Sequence, residues 1–365
     1  MAIRFLTSGE SHGECLNAII EGIPFGYELD FDFINSELSN RQKGYGRGKR
    51  MEIETDKIKI KSGVRQKITT ASPISIEIQN KDWQNWKNVI CPNVPEIVDL
   101  EEQNSKKITK FRPAHADLAG SLKYGFSDIR YVLERSSARE TATRVAVGAI
   151  CQNILKNYNI TFSSKVISIG ECEKEEEFEK YIDEYKKMGD TLGGIIQITI
   201  KNVPVGLGSF VNWDRKLDSK LAQSVMSVPA IKSVEFGLGR DYAKISGNNS
   251  HDEIFWENDR YFHKTNNSGG IEGGMSNGED IVVTAAMKPI PTMKKPLNSV
   301  EIKTHLPQKA HFERSDACAV EACGVVLRNV CAIVILDAFL EKFTSDTKED
   351  IDICYEQYKK RIKKL

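Results

Sequence analysis

Residues 135–148 read Arg-Ser-Ser-Ala-Arg-Glu-Thr-Ala-Thr-Arg-Val-Ala-Val-Gly, and this stretch predicts the central helix of the fold. Ser137 and Glu140 have the spacing of a capping box, in which the two side chains satisfy free N–H groups at a helix start. Small and apolar residues follow at helical spacing, namely Ala142, Val145, Ala146 and Ala149. We therefore expect a helix over 138–155 that buries one face in the core.

The same helix start is a candidate anion site. Its free N–H groups and the positive end of the helix dipole attract phosphate and carboxylate groups. Arg135 and Arg139 lie four residues apart around it, and guanidinium groups bind such anions with paired hydrogen bonds. Ser136 and Ser137 add two hydroxyls. A capping box is common without a ligand, so the two arginines are what favour anion binding here.

Strand and helix patterns occur on both sides of this helix. Alternating or β-branched apolar residues predict strands at Ile3–Thr7, Met51–Ile60, Ile74–Ile78, Ile195–Ile200 and Ile281–Met287. Helical spacing predicts further helices at Lys216–Val228 and Ala317–Leu340, and charged surface helices at Glu171–Lys187 and Asp346–Leu365. Regular β-α-β spacing, a dinucleotide-binding motif and a P-loop motif are all missing from the sequence. The periodicity predicts a mixed α/β chain.

Composition excludes several function classes. Lys and Arg total 51 and Asp and Glu total 51, so there is no global field to attract nucleic acid or an anionic membrane. We find no secretory leader pattern, and the apolar run near Val330–Leu340 is shorter than the ~20 residues that span a bilayer. The eight cysteines lack metal-binding spacing. We expect a cytoplasmic protein with reduced thiols, no metal, and no membrane or nucleic-acid partner.

Two histidines are candidates for proton transfer. Gly9–Gly13 reads Gly-Glu-Ser-His-Gly directly after the first predicted strand and matches the G-x-S-x-G pattern of serine hydrolases. That motif requires several strands before it in the chain, so His12 is better suited to act as an exposed proton donor. In the segment 112–117, His115 could act as an acid or base and Asp117 could orient it.

Two glycine-rich segments are candidates for ligand contact. In 41–50, Arg41 and Arg47 stand among glycines, which suits either an anionic ligand or non-specific contact with RNA by a flexible loop. The segment 268–278 has five glycines ahead of a strand, which permits close backbone approach to a flat or phosphorylated ligand.

The stretch Arg314-Ser315-Asp316 precedes an apolar run, so Ser315 or Asp316 could cap a helix and leave Arg314 at its positive end. The sequence thus supplies two histidines, several arginines and three candidate anion sites, without residues at the spacing of a metal site. This combination suits elimination chemistry on a phosphorylated polyanion, with an organic cofactor that also carries phosphate.

Four stretches, taken together and in order, resemble the chorismate synthase family: Gly9–Gly13, Arg135–Gly148, Gly269–Gly278 and Arg314–Val320. The resemblance implies one catalytic domain over 1–340, with helices sandwiched between antiparallel sheets, a charged helix at 341–365 appended to it, and a homotetramer. It also implies a lyase that removes phosphate from 5-enolpyruvylshikimate 3-phosphate by 1,4-anti elimination to give chorismate. Reduced FMN is the cofactor that this reaction requires.

The resemblance implies roles for individual residues. His12 corresponds to a histidine near the substrate phosphate, His115 to one that protonates the reduced flavin, and Asp316 to an aspartate in proton removal. Arg41 and Arg47 correspond to substrate- or NADP-binding positions, and Arg139 is grouped with them. Flavin contacts are expected from Arg135, Ser136, Ser137, Asn249, Ser250, Gly273, Lys288, Pro289, Ile290, Pro291, Thr292 and Arg314. A reductase domain is not visible, so NADPH is expected to act only indirectly, as a source of reducing power.

The sequence departs from the family pattern at Ala71 and Ala114, where glycine is usual, and at Glu321, where proline is usual. None of these changes removes a proposed acid, base or charge. Two other functions stay open on the residues alone. They are an RNA-binding module that uses 41–50 and a serine hydrolase that uses Ser11.

Overall fold

The computed structural model describes residues 3–48, 55–93, 100–313 and 316–364, and places helices between antiparallel sheets. The strands are β1 (Arg4–Gly9), β2 (Cys15–Glu21), β3 (Lys59–Ser62), β4 (Val64–Arg65), β5 (Ile68–Thr69), β6 (Ile74–Gln79), β7 (Thr161–Ile169), β8 (Gly194–Lys201), β9 (Ile231–Phe236), β10 (Ile254–Glu257), β11 (Arg260–His263), β12 (Ile271–Glu272), β13 (Met275–Ser276), β14 (Ile281–Met287), β15 (Asn298–Val300) and β16 (Pro307–Lys309). The α-helices are α1 (Phe31–Gln42), α2 (Lys87–Ile90), α3 (Leu100–Lys106), α4 (Asp117–Tyr124), α5 (Arg130–Ser136), α6 (Thr141–Leu155), α7 (Phe178–Met188), α8 (Leu217–Met226), α9 (Gly247–Ser250), α10 (Val320–Lys342) and α11 (Lys348–Ile362).

The two large sheets each contain four antiparallel strands. Their orders are β1-β2-β6-β3 and β7-β8-β14-β9. Along β14 the buried residues alternate with less buried ones, which places one face of the sheet against the helices. The strands predicted from alternation near β1, β6, β8 and β14 are all found.

Helices α6 and α10 form the middle layer. Helix α6 packs on β2 and β6 of the first sheet, α10 packs on β7 and β8 of the second, and the two helices pack on each other. Every residue of α6 except Arg144 is buried, so this helix is enclosed on all sides and not on one face alone. The arrangement of helices sandwiched between antiparallel sheets, expected from the family resemblance, is confirmed.

Helix α10 is long and apolar enough to cross a bilayer by length and composition, with a mean hydropathy of 2.0 in its most apolar window. It continues well beyond the apolar run at 330–340 that the sequence pointed to. However, 94% of that window is buried inside the protein. This burial is typical of a core helix that other elements surround on both sides.

Gly148 lies where α6 and α10 approach most closely. A Cβ atom at this position would lie 2.2 Å from the carbonyl oxygen of Asn329. We expect Gly148→Ala to push the helices apart and lower the free energy of unfolding by roughly 3 kcal/mol, as in other overpacked cores. Urea unfolding measures this change. Gly247→Ala is the control, since its Cβ would meet only the His251 side chain at 3.3 Å. Equal stability of the two variants would contradict the close helix contact.

Several predicted elements differ in extent from those observed. The strand predicted at 51–60 is found only as β3, and residues 51–54 lie outside the described part of the chain. The surface helix predicted at 171–187 begins at Phe178, which is buried together with Ile182. The short helices α3, α4 and α5 were not predicted, because helices of one or two turns depend on tertiary contacts more than on their own sequence.

The C-terminal helix α11 has the charge pattern that its sequence predicted, with Glu349 and Asp350 in the first turn and basic residues in the last. It packs on the body of the protein through Ile351, which is fully buried. In addition, the Tyr158 hydroxyl donates a hydrogen bond to Asp352 at 2.9 Å. The helix is therefore held against the core by both an apolar and a polar contact.

Candidate active site

A cavity of about 1190 Å³ brings together most of the residues singled out in the sequence. Among its lining residues are His12, Arg41, Arg47, His115, Ser136, Ser137, Arg139, Lys288, Ile290, Pro291, Thr292 and Asp316. Pockets for one small molecule rarely exceed about 1,000 Å³. This cavity is somewhat larger than a pocket for one small molecule.

His12 lies in the turn after β1, where the Glu134 side chain on α5 holds it. Its Nδ1 is 2.8 Å from Glu134 Oε1, and its backbone N–H donates to Glu134 Oε2 at 2.8 Å. The ring also stacks on Trp86 with a centroid distance of 4.1 Å. The expectation of an exposed histidine is thus wrong, because the whole residue is only 7% exposed. It nevertheless lines the cavity.

His115 and Asp117 are paired as the sequence predicted. The distance between His115 Nδ1 and Asp117 Oδ1 is 2.5 Å. Arg112 holds the same carboxylate through its Nε, which donates to Asp117 Oδ2 at 2.8 Å. Burial alone would raise the pKa of Asp117, but the hydrogen bonds from His115 and Arg112 outweigh it and hold this pKa well below its usual range. Asp117 is therefore ionised and fixes the His115 ring.

Arg41 and Arg139 lie together on one carboxylate. Arg139 NH1 is 2.7 Å from Asp56 Oδ1, and Arg41 NH1 is 3.4 Å from Asp56 Oδ2. All three residues are buried, and burial lowers the pKa of Arg41 to about 10 despite the opposing charge of Asp56. Arg41 ends helix α1 and does not belong to a flexible surface loop. Within the segment considered for RNA contact, Arg41 is thus buried in the protein, while residues 49 and 50 lie outside the described part of the chain.

Asp316 does not cap helix α10, which begins at Val320 without a side-chain cap. Instead, it accepts a hydrogen bond from the Gly48 N–H at 2.6 Å and lies 3.3 Å from Arg47 Nε. These contacts connect the glycine-rich stretch to the region before α10 at the cavity wall. Arg314 and Ser315 lie outside the described residues.

The capping box at the start of the central helix is not formed. Ser137 accepts a hydrogen bond from the Arg139 N–H at 3.3 Å in a 3-10 turn over 138–140. Glu140 instead pairs with Arg144 at 3.0 Å, an i,i+4 contact inside the helical segment. Arg135 turns away from the cavity and donates to the Thr7 carbonyl oxygen at 2.9 Å. The sequence suggested that Arg135 and Arg139 lie around one anion site, and this expectation is wrong because Arg135 does not line the cavity.

An apolar wall completes the cavity. It is formed by Val228, Pro229, Ala230, Met287, Ile290, Ala322 and Val326. Lys288 stands beside this wall and donates to the Ala114 carbonyl oxygen, and burial, followed by the charge of Lys232, lowers its pKa. An apolar surface next to arginines, hydroxyls and three histidines fits a flat ring system that carries phosphate.

Some of the predicted flavin contacts lie elsewhere. Pro289 is not among the cavity-lining residues although its neighbours are. Asn249 lines a separate cavity of about 190 Å³, and Ser250 is buried beside it. Gly273 lies in the turn between β12 and β13, where an added Cβ atom would meet nothing within 4 Å, and it is not among the cavity-lining residues.

The sequence analysis missed several cavity residues, namely Trp86, Arg112, Arg130, His311 and Glu313. Glu134, which holds His12, was also missed. Arg130 lies 2.8 Å from Glu313, which is 3.4 Å from His311. Burial would raise the pKa of Glu313, but His311 and Arg130 lower it to about 2. Arg112 belongs to the segment 112–117 but was given no role there, and Glu134 directly precedes Arg135, whereas nothing in the local sequence marks Trp86.

Within the described residues there is no group of three or more His, Cys, Asp or Glu side chains that could hold a metal ion. The eight cysteines are free thiols. The Ser11 hydroxyl, the nucleophile of the hydrolase hypothesis, donates to the Ser137 hydroxyl at 3.1 Å. The polar groups that line the cavity are carboxylates, imidazoles, ammonium and guanidinium groups, hydroxyls and amides.

Comparisons with known proteins give one consistent result for the whole chain. A family model described as chorismate synthase matches residues 3–340. A chorismate synthase of Caldanaerobacter subterraneus subsp. tengcongensis is 54% identical over 98% of both chains. One of Streptococcus sanguinis is 46% identical over 99% of this chain and 100% of its own. A solved structure described as a crystal structure of chorismate synthase has a TM-score of 0.80 and 38% identity, and covers 100% of this chain and 99% of its own.

Proposed function

Because the chain belongs to the chorismate synthase family, we propose that it eliminates phosphate from 5-enolpyruvylshikimate 3-phosphate to give chorismate. This is a 1,4-anti elimination with reduced FMN as cofactor, the last step of the shikimate pathway to the aromatic amino acids. One observation carries the proposal: the same cavity is lined by His12, His115, Asp316 and five arginines beside an apolar wall. The site thus offers proton donors, a carboxylate and anion-binding groups to the same bound molecules.

The arginine cluster supports binding of the substrate anions. Arg41, Arg47 and Arg139 all line the cavity. Asp56 forms ion pairs with Arg41 and Arg139, and Asp316 forms one with Arg47. The substrate carries a phosphate and two carboxylates, which suit guanidinium groups. In this proposal the cluster orients the substrate so that its phosphate faces His12.

Three groups handle protons. His12 protonates the departing phosphate, which makes it a better leaving group. His115, oriented by Asp117, holds a proton next to the cofactor. Asp316 takes part in removing the substrate proton, and its contacts with Gly48 and Arg47 hold its carboxylate at the cavity wall.

The residues that would hold the flavin are Ser136, Ser137, Lys288, Ile290, Pro291 and Thr292, all of which line the cavity. When bound there, reduced FMN would supply reversible one-electron chemistry, with no net oxidation over the reaction. Exclusion of water by the apolar wall strengthens the electrostatic interactions of the site. Cytoplasmic location and assembly as a homotetramer belong to the same proposal.

The test is an anaerobic mixture of purified protein, dithionite-reduced FMN and 5-enolpyruvylshikimate 3-phosphate. We expect chorismate absorbance and phosphate to appear in equal amounts, and only with reduced flavin. Oxidised FMN is the control. A folded, flavin-binding protein that forms neither product would contradict the proposed reaction.

A second arm replaces dithionite with NADPH and oxidised FMN. We expect no turnover, because no dinucleotide-binding motif was found in the sequence. Chorismate formation in this arm, or NADPH oxidation stimulated by FMN, would show that the protein reduces its own flavin.

A further inference from the structure

We propose that Glu134 is a positioning residue, which fixes the orientation and the tautomer of His12 for proton transfer. This role rests on the proposed function, in which His12 protonates the leaving phosphate. Glu134 itself is absent from the residues that line the cavity, so it acts through His12 and not on the ligand.

The contacts between the two residues leave His12 little freedom. One carboxylate receives both the backbone N–H and the side-chain Nδ1 of His12, each at 2.8 Å. The Ser11 N–H donates to the Glu134 carbonyl oxygen at 2.9 Å, which attaches the same turn to α5 a third time. Stacking of the ring on Trp86 then limits its rotation. The position of His12 is therefore set by α5 and Trp86.

The carboxylate also selects the tautomer. An ionised carboxylate only accepts hydrogen bonds, so His12 Nδ1 must carry a hydrogen. Arg130 stands beside the carboxylate with NH1 at 3.4 Å from Oε1 and supplies the opposing charge. In the imidazolium form Nε2 also carries a hydrogen; His12 gives that proton to a ligand through Nε2 and is left as the neutral Nδ1–H tautomer.

Glu134 itself is firmly held. Its side chain is only 4% exposed. Arg130 is in turn fixed by Glu313 at 2.8 Å and by the Lys106 carbonyl oxygen, and it lies 4.8 Å from the Trp86 ring. A carboxylate held this firmly can fix the position of the turn after β1 that contains His12.

Glu134→Gln tests the proposal with almost no change in volume. The amide offers one acceptor oxygen and one N–H2 donor, whereas His12 presents two N–H groups to this position. One contact must fail, or Nδ1 must give up its hydrogen and accept from the amide. We expect kcat to fall about 10- to 100-fold, in line with the cost of misplacing a catalytic group, with little change in KM or in reduced FMN affinity. Glu140→Gln, a buried glutamate paired with Arg144, should keep its kcat.

Two readouts separate positioning from a merely structural role. In a His12→Ala background, Glu134→Gln should cost no further kcat, because its effect passes through the missing ring. If the two losses multiply, the proposal is overturned. Nitrogen-15 NMR of labelled histidine should show His12 as the Nδ1–H tautomer, with its signal assigned by its loss in His12→Ala. A wild-type Nε2–H tautomer would also overturn it. The NMR result needs no turnover, so it stands apart from failure of the proposed reaction.

Discussion

Replacing His115 with asparagine is expected to lower kcat by at least about 100-fold, the smaller contribution usual for a positioned acid or base. The asparagine amide neither gains nor loses a proton at neutral pH. The contact between His115 Nδ1 and Asp117 Oδ1, at 2.5 Å, is also lost. The affinity for reduced FMN should change little, because Lys288 and the apolar wall remain. Single-turnover kinetics and flavin titration measure the two effects separately.

His305→Asn is the matched control for this substitution. His305 is exposed and has a φ of 58°, a left-handed conformation that asparagine tolerates well. We expect this variant to behave as the wild type in both assays. If His115→Asn abolished flavin binding and thereby accounted for all of its lost turnover, a catalytic role for His115 would be wrong.

Asp56→Asn is expected to lower the free energy of unfolding by about 3–5 kcal/mol, since it leaves buried charges without their partner. Arg41 and Arg139 share this carboxylate, and all three side chains are almost completely buried. The variant should also bind the substrate more weakly, because the two guanidinium groups would repel each other out of position. Urea unfolding and substrate titration are the measurements.

Asp241→Asn serves as the control for Asp56→Asn. Asp241 pairs with Lys244 on the surface, where solvent screens the charges, so removal of this pair should leave the free energy of unfolding nearly unchanged. If Asp56→Asn is too unstable to purify, the double variant Asp56→Asn, Arg41→Gln removes one of the two uncompensated charges and should recover part of the stability. A single variant as stable as the wild type would contradict the idea that Asp56 holds the cluster together.

Two departures from the family pattern fall at unusual backbone conformations. Ala71 and Ala114 have φ values of 60° and 61°, in the left-handed region where glycine is favoured. At both positions the backbone adopts the left-handed conformation that glycine would allow, and the Cβ atom of alanine makes this conformation somewhat strained. The Ala114 carbonyl oxygen still receives the Lys288 side chain at the cavity wall. These substitutions therefore leave the geometry of the site in place.

Elements with a strong local signal could be predicted from the sequence. Strands β6, β8 and β14 and helices α6, α8 and α10 follow from their own apolar spacing, because burial on a strand or helix requires that period. The pairing of His115 with Asp117 was also predictable, since the two residues are only two positions apart in a stiff turn. The family resemblance also pointed to twelve of the residues that line the cavity.

The capping box shows where local reasoning fails. Ser137 and Glu140 have the required spacing, but Glu140 also has Arg144 one turn further along and pairs with it. Several contacts were available to the same side chain, and spacing alone does not rank them. The start of α10 is a similar case, in which Asp316 pairs with Gly48 and Arg47 instead of capping the helix.

The sequence by itself determined the periodic elements, the family and the identity of the chemical groups. Tertiary structure alone decided which of these groups meet. His12 reaches Glu134 across 122 positions, Arg139 reaches Asp56 across 83, and Asp316 reaches Gly48 across 268. The physical reason is that local spacing reports only neighbours within about one helical turn or on one strand face. Contacts between distant segments depend on how the two sheets close over the helical layer.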